Sequence, residues 1–133
     1  MFTHNVPAEP SIIAPELVDD EDRADQVLVD PIGLVIRWDP VTALATGNSL
    51  TTTGYEVIVT KVEHDDPHGW SRPVYDVHVG PDGSFLPVPD GFLEPDTVYE
   101  LEVLALEASG NQTISVGFFR TGWVSTTRNP AGA

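Results

Sequence analysis

Cysteine is absent from the 133-residue sequence, which excludes disulfide bonds, thiolate metal sites and a cysteine nucleophile. Basic residues are scarce, because six lysines and arginines stand against 21 aspartates and glutamates, a formal net charge of −15. Such a charge repels nucleic-acid phosphates and anionic lipid headgroups, so we expect no nucleic-acid partner. Long apolar runs are also missing, since no stretch approaches the ~20 apolar residues of a membrane span. We therefore expect no membrane insertion.

Signals for secretion and for catalysis are missing as well. The first thirty residues lack the basic start and the apolar run of a secretory signal, so the protein either stays inside the cell or has a leader and neighbouring domains outside this sequence. No nucleophile is paired with a base, and there is no glycine-rich phosphate loop. A single small domain also offers little concavity for the paired carboxylates of a glycosidase. We expect a protein that is not an enzyme.

The sequence is rich in residues that end strands and helices, with 12 prolines and 11 glycines, which favours short elements joined by turns. Its hydrophobic content of 41% is sufficient for one core. Prolines make residues 1–9 an extended arm, and residues 122–133 are polar and read as a flexible tail or linker. We predict one domain over residues 10–121, with a long acidic loop at about 16–30.

Apolar residues alternate with polar ones in short segments, which is the pattern of half-buried strands. The segment 98–108 also contains helix formers, but its period of two and the preceding Pro95 favour a strand. The fold class predicted is all-β, a seven-stranded antiparallel sandwich of two sheets without a convincing helix. The predicted strands lie at residues 11–14, 34–39, 55–62, 74–79, 84–88, 98–108 and 113–120.

A tight corner joins the strand at 98–108, and it carries Leu93, Pro95, Thr97 and Tyr99. A tyrosine where a loop turns into a strand can bury its ring and tie its hydroxyl to the backbone. This combination indicates a fold and names no partner.

Three such marks in order resemble a fibronectin type III domain over residues 10–121. Residues 34–40 (LVIRWDP) look like the family's second strand with its core tryptophan, and residues 54–59 (GYEVIV) look like the third strand with its opening tyrosine. The corner resembles the family's signature, and Leu101, Val103 and Ala105 continue it as the sixth strand does. The predicted structural core is Leu34, Ile36, Trp38, Tyr55, Val57, Leu93, Pro95, Tyr99, Leu101 and Val103.

The resemblance implies a spacer, an adhesion surface or an accessory module, and an extracellular or cell-envelope location. It does not choose among these uses. Two departures are visible: the acidic connection between the first two strands is long, and the hairpin at residues 108–113 has no Arg-Gly-Asp. Integrin-type adhesion therefore has no support.

The acidic run at residues 16–30 holds seven carboxylates against Arg23. A solvated loop is the ordinary interpretation of such a run. The alternative is a calcium site built from Asp19, Asp22 and Asp25, because calcium prefers several oxygen ligands, although EF-hand spacing is absent.

Two further segments invite a functional interpretation. The cluster His64-Asp65-Asp66-Pro67-His68 offers zinc ligands, but Pro67 forbids the helix that would bring the two imidazoles together, so we interpret it as a solvated loop. Trp70 and Trp123 lie outside the strands and either contact a partner or fold back over the rim of the core. Asn111 begins a glycan-acceptor triplet, which we treat as accidental.

We therefore expect a monomeric, non-catalytic module without a cofactor, which acts as a spacer or binds a protein or glycan partner in a larger protein. The alternative, from another class, is a calcium-dependent binding or regulatory domain that uses the loop from Asp19 to Asp30. A small enzyme using the cluster from His64 to His68 is the weaker third possibility.

Overall fold

The computed structural model describes residues 10–39, 52–62, 73–108 and 112–122. In these ranges the chain forms one 3-10 helix at Glu21–Gln26 and eight strands. The strands are β1 (Ser11–Ala14), β2 (Leu28–Val29), β3 (Val35–Asp39), β4 (Thr52–Lys61), β5 (Pro73–Val79), β6 (Phe85–Pro87), β7 (Val98–Glu107) and β8 (Gln112–Thr121).

The strands form two sheets, one of three strands in the order β1-β3-β6 and one of five strands in the order β2-β8-β7-β4-β5. The prediction of an all-β fold with two sheets is confirmed. The predicted number of seven strands is wrong, and so is the purely antiparallel arrangement. The eighth strand is β2, which pairs in parallel with the end of β8 and makes the larger sheet mixed. It lies inside the segment predicted as an acidic loop and is only two residues long.

The core lies between the sheets, where side chains from alternate positions of the strands meet. Trp38 of β3 packs on Tyr55 of β4 with ring centroids 5.4 Å apart, and Tyr99 of β7 stacks on Phe119 of β8 at 5.8 Å. Nine of the ten predicted core residues are buried. The exception is Pro95, which is exposed because it shapes the corner before β7 and does not fill the interior.

The acidic segment folds back against β8. Asp20 caps the 3-10 helix by accepting a hydrogen bond from the Asp22 amide at 2.9 Å, and Ala24 is the residue of the helix that is buried. Upstream, Leu17 lies so close to Gly117 of β8 that a Cβ at position 117 would be 2.7 Å from the Cβ of Leu17. The segment therefore covers part of the sheet, and its carboxylates remain at the surface.

Several sequence predictions fall outside the described residues. These are the arm at residues 1–9, the cluster from His64 to His68, Trp70, Asn111 and Trp123. Of the predicted tail at residues 122–133, Gly122 alone is described. In the part of the chain that is described, no helix has the length and apolar character that crossing a membrane requires.

Candidate functional site

The corner before β7 confirms the proposed role of Tyr99. Its ring is buried, and its hydroxyl accepts a hydrogen bond from the amide of Glu94 at 2.8 Å. Burial raises the pKa of the Tyr99 phenol, while the amide of Glu94 opposes that shift because it favours the phenolate. The Tyr99 hydroxyl thus provides a hydrogen-bond acceptor for the amide of Glu94, which lies outside the strands.

Thr121 closes the same corner, and sequence reasoning missed it. Its fully buried hydroxyl donates to the carbonyl of Glu94 at 2.5 Å and accepts from the amide of Thr97 at 2.9 Å. Asp96 adopts a positive φ of 52° and pairs with Arg120 at 3.2 Å. A threonine at the end of an alternating strand carries no signal for such a role, because its partners are more than twenty residues away. The corner is a structural device, which leaves the outer surfaces of the sheets as candidates for function.

The outer face of the five-stranded sheet carries most of the remaining polar chemistry. Strand register places Glu56 of β4 opposite His78 of β5, and Ile58 of β4 between Asp76 of β5 and Glu102 of β7. Side chains at these positions point away from Tyr55 and Val57, because successive residues of a strand face opposite sides. Four carboxylates, those of Glu56, Asp76, Glu100 and Glu102, therefore share one face of three adjacent strands. We call them the carboxylate group.

Charge repulsion is built into this group. Contact with the Asp76 carboxyl raises the pKa of Glu56, partial burial adds to the effect, and His78 lowers the pKa. Burial raises the pKa of Glu102, and the neighbouring charges of Glu100, Glu56 and Asp76 raise it further. A positively charged group on this face would therefore reduce the repulsion among the four carboxylates.

Among the described residues, possible metal ligands come together on this face. Glu56, Asp76 and His78 are the three whose ligand atoms come together, all within 4.8 Å of one another. The Nε2 of His78 is 3.6 Å from a carboxylate oxygen of Glu56, which is also the geometry of a simple ion pair when the imidazole is protonated. We interpret the trio as charge pairing on an exposed surface.

The predicted calcium ligands do not come together in this way. Asp19 pairs with Arg23, and Asp22 and Asp25 are exposed around the 3-10 helix. Calcium binding by this segment stays a prediction. A shallow depression lies beside it, lined by Asp19, Asp20, Glu21, Arg23 and Phe118.

Apolar side chains lie next to the carboxylate group, on β8. Ile114 and Val116 expose 42% and 50% of their surface, and they lie opposite Leu104 and Glu102 of β7. Neither residue was singled out from the sequence, because an alternating strand at the edge of a sheet looks the same as one in the middle. The face therefore combines an acidic half with an apolar half.

The two sheets, the Trp38–Tyr55 pair and the Tyr99 corner together define a fibronectin type III-like β-sandwich. Among 19 solved chains that match, the third fibronectin III domain of the human KIAA0343 protein is similar with a TM-score of 0.56. It is 16% identical in sequence, and the match covers 92% of this chain and 85% of that chain. At this identity the likeness shows the fold alone. No protein-family model matches the sequence, and no curated protein matches it either.

Proposed function

We propose that this protein is a non-catalytic module that works through its surface, either as a spacer or as a binding domain for a protein or a glycan. The observation that carries the proposal is the filled interior. Four aromatic side chains meet between the sheets, and each exposes at most 1% of its surface: Trp38, Tyr55, Tyr99 and Phe119. Recognition then falls to residues on the outer faces and the loops.

The surface supports a binding role better than a spacing role. Large apolar side chains are exposed on both sheets, among them Phe85 on β6 and Ile114 and Val116 on β8. Exposed apolar side chains next to charged ones are typical of surfaces that contact other proteins. The fibronectin type III-like fold supports a place in a larger extracellular or cell-envelope protein, as a monomeric unit between its neighbours.

The experiment is a thermal melt of the purified protein in chelator, in calcium and in zinc, with its molecular mass measured by light scattering and its hydrolytic activity assayed on the same sample. We expect a cooperative melt in chelator, a monomer and no turnover. Unfolding in chelator, or turnover that increases with zinc, would contradict the proposal.

The calcium melt also tests the alternative of a calcium-dependent domain. A ligand that binds the native state stabilises it, so a calcium site would raise the melting temperature. The triple variant Asp19→Ala, Asp22→Ala and Asp25→Ala serves as the control. A calcium effect that persists in this variant would exclude the acidic segment as its source.

A further inference from the structure

The short strand β2 ends the five-stranded sheet on one side and pairs only with the last residues of β8. Among the described residues, Val18 and Val27 are the other backbone partners on this side of β8, and Pro10 accepts a hydrogen bond from the side chain of Ser115 at 2.5 Å. The amide and carbonyl of Phe118 bond to Val18, and the amide of Arg120 donates to the carbonyl of Val27 at 3.1 Å. Residues at even positions of β8 thus point their backbone groups away from β7. The register between β7 and β8 is continuous from Gln112 onward, so the amides and carbonyls of Ile114 and Val116 point the same way. Among the described residues, no backbone partner meets them.

The opposite edge of this sheet is protected in the ordinary manner. β5 begins with Pro73 and places the carboxylate of Asp76 and the polar side chain of His78 on its outer face. Proline and charge discourage a further strand from pairing there. On β8 the corresponding outward positions hold Ile114 and Val116, which offer no such protection. An open edge with β-branched apolar side chains is a template for another strand.

Charge decides which strand fits. Adjacent strands lie about 4.8 Å apart, so a strand added to β8 would have Val116 as its neighbour and Glu102 one strand beyond. A lysine or arginine can lay its apolar stem across a valine and place its cationic head near a carboxylate behind it. Glu100 and Glu102 of β7 supply that negative charge on the same outer face, one strand away from the edge. Asp19, Asp20 and Glu21 border Phe118, where the open edge ends.

We propose that the open edge of β8 at Ile114 and Val116 binds an extended segment of a partner protein in which apolar and basic residues alternate. The segment adds a strand by backbone hydrogen bonds to Ile114 and Val116. Its basic side chains all lie on the outer face, where their apolar stems cover these two residues and their cationic heads reach the carboxylate group, and its apolar side chains point to the opposite face of the sheet. A second copy of this chain is a poorer occupant, because two surfaces that share a net charge of −15 repel each other. This inference rests on the proposed function of a binding module.

The probe is a short, blocked peptide of alternating lysine and valine, added to the full chain. We expect hydrogen exchange at the amides of Ile114 and Val116 to slow at least tenfold when the peptide saturates. The amide of Ser115 serves as an internal control, since it faces β7 and is protected beforehand. The same peptide with N-methyl groups on alternate residues keeps its charge and loses donors, and we expect it to bind at least tenfold more weakly.

Variants test the two halves of the surface. Val116→Lys places a charge on the open edge and should weaken binding at least tenfold. Asp82→Asn also makes the net charge one unit more positive, but in the exposed turn before β6, and should weaken binding less than threefold. The pair Glu100→Gln and Glu102→Gln should make binding less sensitive to salt. If Val116→Lys does not fold, the exchange measurement on the unmodified protein still decides.

Equal affinity for the plain and the N-methylated peptides would overturn the proposal, because binding would then depend on charge alone. So would unchanged exchange at Ile114 and Val116. A concentration-dependent dimer that protects these amides without peptide would identify a second copy as the occupant and also overturn it. Each of these results leaves the proposed non-catalytic role intact, since the melt and the turnover assay test that role separately.

Discussion

The hydroxyl of Tyr99 provides the most direct test of how the corner is stabilised. Replacing Tyr99 with phenylalanine keeps the buried ring and its stacking on Phe119 but removes the acceptor of the Glu94 amide. A hydrogen bond contributes about 0.5–1.5 kcal/mol net, and leaving a buried donor unpaired costs about 1–3 kcal/mol. Because the amide of Glu94 is partly buried, we expect Tyr99→Phe to lower the free energy of unfolding by about 1–3 kcal/mol.

Tyr75 is the matched control, because its hydroxyl also contacts a backbone group, the carbonyl of Pro87 at 3.1 Å, but does so at the surface. Water can replace that bond, so Tyr75→Phe should cost below about 1 kcal/mol. Urea denaturation followed by tryptophan fluorescence measures both, and each kcal/mol should move the melting temperature by roughly 4 °C in a domain of this size. Equal losses for the two variants would refute the idea that the Tyr99 hydroxyl stabilises the corner.

Alkaline pH gives an independent check on the same residue. Burial raises the pKa of Tyr99 in the folded protein above its unfolded value of about 10. The corresponding stability is present below pH of about 10 and is lost as the pH rises through the folded-state pKa. The difference in stability between the unmodified protein and Tyr99→Phe should therefore shrink above that pH. A difference that grows with alkaline pH would show that the sign of the shift is wrong.

Three other predictions concern the core, the covered part of β8 and the carboxylate group. Trp38→Ala should cost about 3–5 kcal/mol, and a loss below about 1 kcal/mol in urea denaturation would mean that the core is misplaced. Gly117→Ala should cost about 1–3 kcal/mol by calorimetry because of contact with Leu17, and adding Leu17→Ala should cost less in this background than in the unmodified protein. The pKa of Glu102 is higher in the folded protein than in the unfolded chain. The protonated carboxyl therefore contributes stability below pH of about 4.3, and this contribution is lost as the pH rises through the folded-state pKa. Glu102→Gln should thus be the more stable form at pH 7 and lose that advantage toward pH 4, and urea midpoints that are equal at pH 7 would contradict the pKa shift.

The long strands could be predicted because burial on one side of a sheet leaves a period of two in the sequence. Ile36 and Trp38 on β3, and Leu101 and Val103 on β7, are placed by this rule alone. The prediction that Pro95 belongs to the core is wrong, because a sequence motif gives the position of a residue in the chain and not the direction of its side chain. The corner itself could be predicted from Tyr99.

The elements that could not be predicted depend on partners far away in the sequence. β2 is two residues long, and its strand character comes from pairing with Arg120 and Thr121. Its acidic neighbours favour a loop interpretation on local grounds. The open edge of β8 is equally invisible in the sequence, since it results from where Val18 and Val27 happen to bond.

The parallel pairing of β2 with β8 has a mechanical consequence for a module tethered at both ends. β2 comes early in the chain and β8 late, and they run in the same direction. Tension applied through the two ends would pull them in opposite senses along their common axis. The hydrogen bonds of Val27 and Val29 to the end of β8 would then be loaded together in shear and would not open one at a time. The force needed to separate β2 from the end of β8 would then depend on these few hydrogen bonds breaking together.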